Sequence, residues 1–88
     1  MGEVAVLFRL MPRAVETDLK AVGDGVRAAL PTSVRLRGMQ VKDIAYGLRS
    51  LLVSVVMPDE GGVLERTEAA LAKVPDVESV EVMEEGLV

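Results

Sequence analysis

Four prolines fall at nearly matching places in the two halves of this chain, and they leave few folds open to it. Pro12 follows the apolar run Val4-Ala5-Val6-Leu7-Phe8-Arg9-Leu10-Met11, and Pro58 follows Leu51-Leu52-Val53-Ser54-Val55-Val56-Met57. Proline has no N–H to give to a β-ladder, so each Met-Pro pair marks a strand end. Pro31 and Pro75 each close a segment containing Ala-Ala-Leu, at 28–30 and 69–71. Each half therefore reads as strand, helix, strand.

Helical periodicity fills in the segments between. Leu19, Val22, Val26, Ala29 and Leu30 recur at the spacing of one helix face. Thr17 is the expected N-cap, with Asp18 in the first turn. Gly23 and Gly25 weaken this helix by about 1 kcal/mol each relative to alanine. The second helix follows Gly61-Gly62. Its expected buried stripe is Leu64, Thr67, Ala70, Leu71 and Val74, with Glu65, Arg66 and Glu68 in water. Val34-Arg35-Leu36-Arg37 and Val77 to Val82 interleave apolar and polar residues, as half-exposed edge strands do. The near-continuous apolar runs at 4–11 and 48–57 suit central strands.

The order is strand, helix, strand, strand, helix, strand. Right-handed crossovers then favour an α+β, ferredoxin-like βαββαβ sandwich: an antiparallel four-stranded sheet with two helices on one face. Residues 1–88 read as a single domain of this kind.

Composition removes most chemistry. The chain has no cysteine and no histidine. That excludes a disulfide framework, a thiolate nucleophile, an imidazole base and the usual transition-metal ligands. Ser33, Ser50, Ser54 and Ser79 have no histidine to activate them. A net charge of −4 argues against a broad nucleic-acid footprint. No signal-peptide or myristoylation pattern opens the sequence, and the longest apolar run is too short to span a bilayer. The expectation is a cytoplasmic protein with no metal, no cofactor, no membrane partner and no direct nucleic-acid partner.

Tyr46 is the only tyrosine, and Phe8 the only other aromatic residue. Tyr46-Gly47 falls where the second and third strands must join. There the ring is either a core plug or a contact for a partner, since it offers wide area at little entropic cost. Arg35, Arg37, Lys42 and Arg49 form either a basic patch near this seam or an ordinary charged edge. Glu78, Glu81, Glu84 and Glu85 read as solvated charges rather than a cation site. Asp59-Glu60-Gly61-Gly62 lacks the Lys and Ser/Thr of a phosphate loop and reads as a helix-start turn.

Met11-Pro12 followed by Glu16-Thr17-Asp18-Leu19, then Ile44-Ala45-Tyr46-Gly47-Leu48 with Leu51, then Glu60-Gly61-Gly62, occur in an order and spacing that resemble the exchange domain of translation elongation factor 1-beta, archaeal type. The resemblance covers the whole chain. It implies a guanine nucleotide exchange factor for the GTPase elongation factor 1-alpha, which acts by binding, without covalent chemistry or a cofactor. It also implies that Tyr46 and Gly47 belong to the surface that contacts the GTPase. Eukaryotic members carry a lysine near the C-terminus that reaches the Mg²⁺ and phosphate region. Residues 84–88 contain none. Either Leu87 and Val88 act sterically, or Lys42 and Arg49 substitute, or metal displacement is indirect. The competing reading is an ACT-like small-ligand-binding or assembly module. The absence of glycine from Met11-Pro12-Arg13-Ala14 counts against it.

Asparagine is absent, Gln40 is the only glutamine, and arginines outnumber lysines seven to three. Scarcity of thermolabile residues is a thermophile trait. The expected outcome is a thermal unfolding midpoint above the mesophile range of about 45–65 °C; calorimetry giving a midpoint inside that range removes the expectation.

Overall fold

The structure is a computed structural model, and it describes residues 2–88. Its elements run β1 (Glu3–Pro12), α1 (Leu19–Ala29), β2 (Arg35–Ala45), β3 (Leu48–Pro58), α2 (Val63–Ala72) and β4 (Val77–Leu87). The strands form one sheet in the order β2-β3-β1-β4, and every neighbouring pair is antiparallel. This is the expected ferredoxin-like sandwich, with β1 and β3 central. Both Met-Pro pairs end strands, since β1 stops at Pro12 and β3 at Pro58.

The core lies between the sheet and the two helices. In β1, Val4, Val6, Phe8 and Leu10 are buried, and their register partners in β3 are Met57, Val55, Val53 and Leu51. Leu19, Val22 and Val26 of α1 and Val63, Thr67 and Leu71 of α2 cover them. Thr67 is fully buried because its hydroxyl donates to Val63 O, one turn back, at 2.8 Å. The stripe of α2 therefore runs through Val63 rather than Leu64, which packs only partly against the core. The helix starts directly after Gly61-Gly62, as expected, with Gly62 as N-cap.

The start of α1 also differs from expectation. Asp18, not Thr17, is the N-cap, and its carboxylate accepts from Lys20 N at 3.0 Å and Ala21 N at 3.4 Å. Thr17 Oγ1 instead accepts from Ala14 N at 3.1 Å. Two adjacent residues of capping type divide the work: one holds the helix and the other holds the turn before it.

The edge strands are longer than their alternating segments, at eleven residues each. Each carries two bulges, which break the period-2 pattern that a sequence reading follows. Arg37 and Ile44 are the extra residues in β2, and Glu78 and Met83 those in β4. Residues 83–87 are therefore part of the sheet. Leu87 lies opposite Val4, and Val88 N–H donates to Glu3 O at 2.9 Å.

Gly25 lets α1 approach the turn after α2. A Cβ at Gly25 would lie 2.7 Å from Val74 Cγ1. Gly25→Ala gains about 1 kcal/mol of helix propensity but overpacks a stiff neighbour at about 1–3 kcal/mol. The expected net loss is about 1 kcal/mol in chemical denaturation. In a Val74→Ala background the same change should become neutral or stabilising; an equal loss in both backgrounds would show that Val74 is not the obstacle.

Candidate functional site

β2 and β3 join through the shortest loop a hairpin allows. Ala45 pairs with Leu48, and only Tyr46 and Gly47 lie between them. Both have positive φ, 52° for Tyr46 and 80° for Gly47. This is the requirement of a type I′ turn, whose twist suits the flanking strands. Glycine meets it without strain. A bulky aromatic residue does not favour the left-handed region, where asparagine or aspartate is the usual choice at the first position.

Tyr46 is 101% exposed, so the core plug is excluded for this ring. Phe8, fully buried, takes that part. A large ring thus stands in an unfavourable backbone region without packing against the isolated fold. The surrounding surface is apolar too. Ile44, the bulged residue of β2, is 42% exposed, and Val15 of the β1–α1 loop is 56% exposed. A Cβ on Gly47 would lie 3.9 Å from Val15 Cγ1, so the loop and the hairpin tip stand side by side. Neither Ile44 nor Val15 shows in the sequence as a site residue. Both are ordinary aliphatics, and only the bulge and the loop geometry expose them.

The other candidates spread over the molecule. Strand alternation puts Lys42, opposite Ser50, on the helix-free face of the sheet, and Arg49, opposite Asp43, on the other. Both flank the hairpin. Ser50 is fully buried and donates to Lys42 O at 3.3 Å. Lys42, Ile44, Leu7, Leu52 and Met83 line a depression of about 360 Å³ on the helix-free face. Arg35 and Arg37 lie at the far end of β2, so the four basic residues form no single patch. Arg35 sits about 20 Å from Lys42 along the strand. Among the described residues two ion pairs form, Arg35 with Glu3 at 3.2 Å and Arg9 with Glu81. Lys42, Arg49 and Arg37 belong to neither.

Leu87 and Val88 are exposed, but they occupy the end of the sheet opposite Tyr46. The register runs from Leu87 through Val4 to Met57, nine residues from Leu48. That is about 30 Å of strand, in a molecule 42 Å long. Leu87 shares a shallow depression with Arg37, Ser54, Glu84 and Gly86. The basic group brought near the C-terminal residues is thus Arg37, and not Lys42 or Arg49. Among the described residues no group of three carboxylates stands close enough to hold a metal ion, and no helix is long and apolar enough to cross a membrane.

Residues 5–87 match the EF-1 guanine nucleotide exchange domain. The chain belongs to the elongation factor 1-beta family. It is 41% identical over 85 residues to elongation factor 1-beta of Methanosarcina acetivorans, covering 96% of each chain. It is 40% identical over 88 residues to that of Methanoculleus marisnigri, covering both completely, and 37% identical over 86 residues to that of Haloarcula marismortui, covering 98% of each. Among solved structures, the C-terminal domain of the MgtC protein from Mycobacterium tuberculosis superposes with a TM-score of 0.57 at 18% identity, covering 99% of this chain and 88% of that one. That likeness shows the fold alone. The archaeal elongation factor 1-beta relatives span the same length as this chain, so the hairpin and both sheet ends lie inside the shared region.

If Tyr46 is strained for the sake of contact, removing it should help the fold. Tyr46→Asn supplies the residue a type I′ turn prefers. Its thermal midpoint should rise by several degrees in calorimetry, where about 4–8 °C corresponds to 1 kcal/mol at this size. A lowered midpoint would mean that the ring stabilises the isolated protein.

Proposed function

We propose that this protein is a guanine nucleotide exchange factor for elongation factor 1-alpha, promoting GDP release so that GTP can enter during protein synthesis. The observation that carries the reading is the fully exposed Tyr46 at positive φ on a two-residue turn, within a chain of the elongation factor 1-beta family. The action needs no acid, base or nucleophile, in keeping with a chain that has neither histidine nor cysteine.

The physics is linkage. A factor that binds the nucleotide-free GTPase more tightly than the GDP form must, by reciprocity, be weakened by GDP to the same degree. Nucleotide charge in such GTPases is held by Mg²⁺ and a phosphate-loop lysine. Binding that displaces either one speeds release. In this reading Tyr46 and Gly47 make the primary contact, and Lys42 and Arg49 flank it from the two faces of the hairpin. Leu87 and Val88 form a second contact at the far end, where Arg37, and not Lys42, supplies a free cation.

Substoichiometric amounts of the protein should accelerate release of fluorescent GDP from elongation factor 1-alpha. Tyr46→Asn should lower that acceleration about tenfold or more, the size of a contact hot spot, while remaining folded. Tyr46→Phe should keep most of it if the ring rather than the hydroxyl is read. Full activity in Tyr46→Asn would clear the ring of the role.

A further inference from the structure

The turn that displays Val15 is held more firmly than an idle loop requires. Thr17 N–H donates to Ala14 O at 3.2 Å, and Ala14 N–H donates to Thr17 Oγ1 at 3.1 Å. Arg13 N–H donates to Asp76 O at 2.9 Å, and its guanidinium reaches Val77 O at 3.4 Å. The turn is thus closed at both corners and tied to the start of β4. Its two central positions are Val15 and Glu16. Such positions favour glycine, asparagine, aspartate, serine or proline, each for a stated backbone reason. Valine brings none of these, lies outside the core cluster and is more than half exposed. What it does have is its place beside Gly47 at the hairpin tip.

We infer that Val15 is a second anchor for the partner that Tyr46 contacts: the two form one apolar knob, built from two elements, that enters a single apolar depression on that partner. This rests on the exchange reading, so the partner is the GTPase. The rigid turn matters because a preorganised side chain loses less entropy on binding. The knob is a convex tip on an elongated molecule. Two such tips meet over too little area for a stable dimer, which needs about 1,000 Å², so a second copy does not fit. Around the tip Arg13, Lys20, Lys42 and Arg49 are matched by Glu16, Asp18, Asp43 and Asp76, so neither sign dominates and the apolar side chains carry the contact. The matching depression on the GTPase is therefore apolar, with a rim of mixed charge.

The test measures GDP release from elongation factor 1-alpha against concentration of the full-length protein. Val15→Asp should raise the half-saturating concentration about tenfold, with the maximal rate and thermal midpoint unchanged. Val15→Ile should behave as wild type. Val15→Ser suits a turn position, so it removes the apolar contact without burdening the fold, and it should show the same rise. Wild-type half-saturation in Val15→Ser overturns the proposal while leaving the exchange reading intact. Strict additivity of Val15→Ser with Tyr46→Asn overturns the single depression, because residues in one pocket couple. No acceleration by the wild type overturns both readings.

Discussion

Where β1 pairs with β3, Phe8 lies opposite Val53 and Val6 opposite Val55, and all four are essentially inaccessible to water. Side chains alternate across a sheet, so a slip of one residue would send the whole buried set to the helix-free face. The fixed register decides which face the helices cover. It also decides how far β3 runs beyond its pairing with β1. Leu10 pairs with Leu51, and three further residues of β3 continue with β2 alone. The hairpin that carries Tyr46 projects because the core pairing ends before it does.

That projection accounts for how the site and the fold trade against each other. A two-residue turn holds Tyr46 on a short, stiff support, and its backbone region suits asparagine better than tyrosine. The one other non-glycine residue at positive φ among the described residues, Asp76, is of a type that tolerates that region. The core under the tip contains no buried side-chain polar atom without a partner among the described residues. A protein of this size has little stability to lose. It tolerates an unfavourable residue at the tip because the adjoining strands are fixed by register and the adjoining loop is clasped at Ala14 and Thr17.

Much of this was legible in the sequence, and the exceptions have physical causes. Proline punctuation and helical spacing suffice for element order, sheet order and the location of the Tyr46-Gly47 turn. The far halves of β2 and β4 do not show, because bulges at Arg37 and Met83 break the alternation that identifies a strand. Choosing Thr17 as N-cap fails because Thr17 and Asp18 are both capping residues, and only geometry separates the helix from the turn. Whether Tyr46 was core or contact stayed open in one dimension, since a tyrosine beside a glycine fits either. Lys42 and Arg49, near Tyr46 in sequence, lie at the hairpin end of the sheet, and Leu87 and Val88 at the other. Nearness to Tyr46 in sequence says nothing about the opposite end of an antiparallel sheet.

The distance between those ends bears on how exchange can work. Contact at the tip alone holds the GTPase in whatever state it already has, because binding that does not distinguish two states shifts nothing. To weaken GDP, a factor must make an interaction that the nucleotide-bound form cannot satisfy. In the exchange reading, Tyr46 and its neighbours anchor one end of a rigid body. The far end, with Leu87, Val88 and Arg37, is then carried to a fixed point about 30 Å away. Pairing of residues 84–87 with β1 makes that far end part of the sheet rather than a loose tail. A flexible tail would lose in ordering entropy what it gained in contact. A strand delivers the same residues already ordered, so the binding energy of the tip can be spent on the conformational difference between the two nucleotide states.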